Sequence, residues 1–155
     1  MTPTGQFELA ALIRQHRDAL LWTWRQQVKQ LPSARTLDTP TLNDHVPQLL
    51  DELADVLEPR SNRSILEALV QGCAPVHGLE RFREGYDIEE VVAEYNFLRG
   101  CIHGLAQNNG LSLDGESFHM MNGVLDRAIG LAVQTYATER SLEIQKHRTG
   151  PSSAG

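Results

Sequence analysis

The stretch HGLERFREGYDIEEVVAEYNFLRG, residues 77–100, constrains the fold more than any other part of the chain. Two charged, amphipathic runs flank Gly85-Tyr86-Asp87. Asp87 with Glu90 three residues later has the form of a capping box, and Tyr86 and Val91 stand at hydrophobic-staple positions. Gly85 stands where a helix C-terminus favours glycine. One helix therefore ends at Gly85 and another starts at Asp87, which folds the two into an antiparallel hairpin. Positions equidistant from residue 86 then share a height. Cys73, His77 and Arg81 form an i, i+4, i+8 row on the first arm, while Glu90, Glu94 and Cys101 lie near one another on the second. Facing rows set Arg81 against Glu90 or Glu94, His77 beside Glu94 and Tyr95, and Cys73 within a turn of Cys101.

The rest of the chain carries the helical period as well. Leu9, Ile13, Leu20, Trp24, Val28 and Leu31 recur close to multiples of 3.6 and predict a first helix that ends before Pro32. The segment PSARTLDTPT reads as a loop. Leu42, Val46, Leu49, Leu50, Leu53, Val56 and Leu57 mark a second helix, with Pro47 tolerated in its first turn if Asn43 or Asp44 caps it. A third runs from about Ser64 to Glu84, with Gly72 and Pro75 suggesting a kink. The fourth places Ile88, Val91, Val92, Tyr95, Leu98, Ile102 and Leu105 on one face. Ala93, Phe97, Gly100 and Gly104 make its other side apolar or small, so it belongs at the centre. After QNNGLSLDG the last helix spaces Phe118, Met121, Leu125, Ala128, Ala132, Thr135 or Tyr136, Glu139 and Leu142 by threes and fours. It becomes more polar towards its end, as a bundle helix drifting into a coiled-coil seam does. No strand-like alternation and no internal repeat appears. The expectation is an all-α antiparallel bundle of roughly four to five helices with a long C-terminal helix. It forms a single domain over residues 1–147, followed by RTGPSSAG as a flexible tail or the scar of a truncation.

Charge and motifs narrow the function. Lys and Arg number 14 against 20 Asp and Glu, a net charge of -6 without a basic stripe, so nucleic acid is excluded as a partner. No run approaches about 18 apolar residues, and MTPTGQFELAALIRQ lacks the pattern of an export leader. The expectation is a soluble, cytoplasmic protein without a membrane partner. The two cysteines, Cys73 and Cys101, are too few for a disulfide scaffold, although they form a redox pair if their Cα atoms approach within about 7 Å. With no Gly-x-Ser-x-Gly, no P-loop and no His-Glu-x-x-His, no enzyme is expected. The charged rows read first as a ladder that fixes hairpin register, and second as a sensing cluster in which His77 titrates beside a carboxylate. No cofactor is expected; the alternative is a haem or metal site on His77, His103, Cys73 or Cys101, although His103 points away from Cys101's face. Trp22 and Trp24 cannot share a helix face, so one is core and the other rim. Phe97 with Gly100 and Gly104 offers a surface for a close helix or a partner.

The combination His77-Gly78, Arg81, Gly85-Tyr86-Asp87, Glu94-Tyr95 and Leu98-Arg99 resembles the helical N-terminal domain of RsbR-type co-antagonists, the RsbRD N-terminal family. That domain also stands in front of many bacterial sensor histidine kinases. LNDHVPQLLDELADVL is similar to the family's second helix and LDRAIGLAVQTYATERSLE to its last, so the resemblance spans nearly all of residues 8–145. It implies a cytosolic sensory module that controls an attached or partner kinase or other effector through its C-terminal helix, and the closing heptads of that helix, which need a second apolar seam, add the expectation of a homodimer. His77, Arg81, Glu94, Tyr95 and Arg99 are then the ligand or coupling cluster. The chain carries no effector motif of its own, which favours a sensor fragment over a protein acting in trans. A haem-, metal- or small-molecule-binding sensor and a stand-alone protein-binding adaptor are the alternatives.

Overall fold

The computed structural model describes residues 4–57, 74–112 and 115–148, and among these the chain is helical with no strand. The elements are α1 (Thr4–Gln15), α2 (Arg17–Val28), a 3-10 turn (Pro32–Ala34), α3 (Thr39–Asn43), α4 (Val46–Leu57), α5 (Ala74–Arg83), α6 (Ile88–Asn108) and α7 (Gly115–Arg148). They form the expected all-α bundle with a long C-terminal helix. The start expected for the third helix, with Gly72 and Cys73, lies outside the described residues.

The single first helix expected from the periodicity is two helices. Leu9, Ala10 and Ile13 of α1 are buried where that helix lies on α4, whereas Leu20, Leu21, Trp24 and Val28 are buried where α2 meets α6. The bend at His16 lets each half follow its own partner. His16 keeps both of its own helical bonds at the bend, its N–H donating to Leu12 and its carbonyl accepting from Leu20, both at 2.9 Å. The expected loop between Pro32 and Thr41 also contains structure. Asp38 accepts the Thr41 N–H at 2.9 Å and Pro40 sits in the first turn of α3, an N-terminal signature hidden by the segment's polar composition.

Pro47 does lie in the first turn of α4, but neither Asn43 nor Asp44 caps that helix. His45 supplies the first carbonyl, to Leu49 N–H at 2.9 Å. Asn43 accepts from Arg25, and Asp44 turns inward with φ +46°.

The corner at Gly85 takes the expected form. Gly85 has φ +83°, its N–H donates to Phe82 at 3.1 Å, and Tyr86 N–H donates to Arg81 at 3.0 Å. This double bond pattern closes a helix through a residue that only glycine adopts cheaply. On the far side Glu90 Oε1 accepts the Asp87 N–H at 2.9 Å and completes the capping box of α6. The two arms are not backbone neighbours along their length, however. α5 lies along α7 and reaches α6 through side chains. At Gly78 a β-carbon would stand 2.2 Å from the Ala132 carbonyl oxygen, so the absence of a side chain sets how closely α5 and α7 approach.

α7 contributes Met121, Val124, Leu125, Ala128, Ala132 and Tyr136 to the core, and from Arg140 onward it is exposed. α6 is central as expected, burying Val91, Tyr95, Leu98, Cys101, Ile102 and Ala106.

Candidate functional site: a buried ion network at the helix corner

His77 and Arg81, one turn apart on α5, meet Glu94 of α6. His77 Nε2 lies 2.7 Å from Glu94 Oε1, and Arg81 Nε donates to both Glu94 oxygens at 2.9 and 3.2 Å. Tyr86, at the corner, donates its hydroxyl to Glu94 Oε2 at 3.0 Å. The second ring nitrogen of His77 faces Asp44 Oδ2 at 2.8 Å. Arg81 also donates to the carbonyls of Thr41 and Leu42 in α3 and to Glu84 Oε1. A single network thus joins α3, the α3–α4 corner, α5 and α6. Trp24 adds α2 by donating its indole N–H to the Glu94 carbonyl at 2.9 Å.

His77, Arg81 and Glu94 are buried, at 3%, 0% and 1% exposure, where an unpaired charge would cost several kcal/mol. Pairing decides their protonation. Burial alone would raise Glu94 and Asp44, but the charges and hydrogen bonds of His77 and Arg81 overcome it and hold both carboxyls below their ordinary values. For His77 burial pushes the other way, and Glu94 with Asp44 overrides it to hold the ring above the ordinary histidine value. Burial and the neighbouring Glu94 push the Tyr86 hydroxyl up, so it remains a donor.

The space beside the network, lined by Trp24, Val46, Leu49 and Leu98, leaves no room for a water molecule. The network's polar contacts end on other protein groups, so they hold α3, the α3–α4 corner, α5 and α6 together.

The expected cluster is therefore assembled in part. His77, Arg81 and Glu94 converge, and Tyr95 sets its ring edge-to-face on His77 at 5.6 Å. Arg99 belongs elsewhere. It reaches across to α7, donating to Asn122 at 2.7 Å and Asp126 at 2.6 Å. Glu90 does not meet Arg81 either; it accepts from the Ser33 hydroxyl at 2.6 Å and its N–H at 3.1 Å, tying the 3-10 turn to the corner. The proposed pair of Cys73 with Cys101 lies partly outside the described residues. Cys101 is buried, which pushes its thiol up, and faces Gln27 Oε1 at 3.8 Å. Gly100 and Gly104 line a groove of about 370 Å³ with Ala19, Leu20 and Thr23 of α2, while Phe97 packs against the core. His103 stacks edge-on against Phe118 at 4.6 Å, away from His77. Among the described residues no group of three or more His, Cys, Asp or Glu could hold a metal ion. Trp24 is core and Trp22 is 59% exposed.

Asp44, Tyr86, Trp24 and Tyr136 were not anticipated in the network. Tyr136 donates its hydroxyl to the Tyr86 carbonyl and packs edge-on against Phe82 at 5.2 Å. A corner carbonyl turned away from its helix needs a donor, which is the one signal that pointed to such a partner. Compared with known proteins, the chain matches no family model, no curated protein and no solved structure. Among the described residues no helix is long and apolar enough to cross a membrane.

Proposed function

We propose that the chain is the sensory, regulatory and dimerisation domain of a bacterial signalling protein. It works in the cytoplasm without catalysis of its own, as the input module of a histidine kinase. One observation carries this reading. A run of hydrogen bonds leads from Asp44 through His77, Glu94 and Tyr86 to Tyr136 of α7. Just beyond Tyr136, α7 leaves the core and continues as an exposed rod to Arg148. An input that alters the network is thereby offered to the helix best placed to pass it on, by a small shift or rotation against α5. Of the residues behind the resemblance to the RsbRD N-terminal family, His77-Gly78, Arg81, Gly85-Tyr86-Asp87, Glu94-Tyr95 and Leu98-Arg99, His77, Tyr86 and Glu94 belong to this run and Gly78 to the contact of α5 with α7. That coincidence supports the kinship.

Leu142 and Ile144, each 51% exposed on the projecting rod, supply apolar surface for a second copy. Light scattering on the intact chain is expected to give a dimer, and a Leu142→Glu, Ile144→Glu variant a monomer. The relay is tested by joining α7 in helical register to a histidine kinase core. Tyr136→Phe, which keeps the ring and loses the hydroxyl, is expected to change autophosphorylation several-fold, as is His77→Gln. Equal rates in all three fusions would defeat the proposal.

A further inference from the structure

A neutral imidazole has one N–H and one lone pair, whereas the imidazolium has two N–H donors. His77 has a carboxylate oxygen 2.8 Å from Nδ1 and another 2.7 Å from Nε2, so only the protonated ring satisfies both. Deprotonation leaves a lone pair facing a carboxylate at hydrogen-bond distance, and one contact must open. We propose that His77 is a proton-operated latch on the α3–α4 corner, and that loss of its proton releases Asp44 while Glu94 stays bound. This deepens the signalling reading by naming the proton as an input; the latch itself does not depend on the relay through α7.

The choice between the two carboxylates follows from their surroundings. Glu94, with its side chain 1% exposed, keeps Arg81 and Tyr86 as donors after His77 turns neutral. Asp44 has His77 as its hydrogen-bond partner, with the His45 ring 3.9 Å away, and its side chain is 11% exposed, close enough to solvent to turn outward. Asp44 also holds φ +46°, a conformation that a residue with a side chain keeps only under constraint. Among the described residues the charges acting on His77 are those of Glu94, Asp44 and Arg81; Tyr95 presents a ring edge, and the α2 and α4 residues that line the space beside it, Trp24, Val46 and Leu49, are uncharged. Arg81 keeps its hold on the Thr41 and Leu42 carbonyls in both states, so release is confined to Asp44 and the entrance of α4.

Nitrogen-detected NMR of the intact chain from pH 5.5 to 9.5 tests the latch. His77 is expected to be doubly protonated at pH 6.5 and to titrate with a midpoint above the ordinary value of about 6.5. Its neutral form should carry the proton on Nε2, facing Glu94. The amides of Asp44, His45 and Val46 should move with the same midpoint, and Arg81 Nε–H should not. Asp44→Asn should lower the proton affinity of His77 about tenfold, and His77→Gln should remove from those amides the component that titrates with the His77 midpoint. A midpoint at or below 6.5, a neutral ring protonated on Nδ1, or unmoved Asp44–Val46 amides overturns the latch. If the latch titrates as described and the Ala132–Tyr136 amides stay still, the latch holds and the relay falls. If it does not titrate, the relay is untouched.

Discussion

The two long faces of α5 do opposite kinds of work. His77 and Arg81 face α6 across a gap bridged by charged side chains, whereas Gly78 and Phe82, one residue further on, press against Ala132 and Tyr136 of α7. The polar face is held by directional bonds that depend on protonation, and the apolar face by close packing that does not. A helix built this way can feel a change in charge on one side and move a packed neighbour on the other, because tight interiors transmit displacement. Tyr86 and Tyr136 join the two faces at the corner, through Tyr86's hydroxyl on Glu94 and its carbonyl on Tyr136.

Breaking the polar face costs most. Glu94→Ala leaves Arg81 and His77 buried without their shared acceptor, and urea denaturation is expected to show a loss of about 3–5 kcal/mol. Glu94→Gln, which keeps an acceptor of the same shape, should lose less. On the apolar face, Gly78→Ala drives a β-carbon into the Ala132 backbone and should cost about 1–3 kcal/mol. Its effect should appear as deprotection of α7 in hydrogen exchange, with the His77 titration unchanged.

The faces also differ in their response to pH. His77 is held above its ordinary value, so its contribution is complete below about pH 6.5 and is lost as the pH rises through its folded value. Glu94 and Asp44 are held below theirs, so their contribution is present above about pH 4 and is lost as the pH falls through their lowered values. Thermal melts should therefore show a plateau between these limits, with His77→Gln removing the alkaline decline. Gly78→Ala should lower the whole curve without changing its shape. The smallest effect belongs to Arg99, whose contacts with Asn122 and Asp126 lie nearer the surface; Arg99→Ala should cost no more than about 1 kcal/mol and weaken with added salt.

Much of this arrangement was readable from local sequence. The Gly85 corner, the capping box at Asp87 and Glu90, the central character of α6 and the long last helix follow from periods and end signals that act within a few residues. So did the meeting of His77, Arg81 and Glu94, because a short corner keeps these positions within reach of one another's long side chains although the two arms are not backbone neighbours along their length. Asp44, Trp24 and Tyr136 escaped because their partners lie 33, 70 and 50 residues away and no period encodes such pairings. The bend at His16 escaped because neither proline nor glycine marks it; two different packing partners impose it. Arg99 joins the expected cluster only through the resemblance, yet it stands on another side of α6, where α7 offers it Asn122 and Asp126.

The most direct test of coupling between the faces is a double-mutant cycle on His77→Gln and Tyr136→Phe, measured by urea denaturation at pH 6. The two residues share no direct contact, and independent sites add to within about 0.3–0.5 kcal/mol. A connected network predicts an interaction energy above about 0.5 kcal/mol at pH 6 that is smaller at a pH where His77 is neutral, because the His77–Glu94 contact then keeps its hydrogen bond and loses its charge. Strict additivity at both pH values would show that α7 does not sense the network.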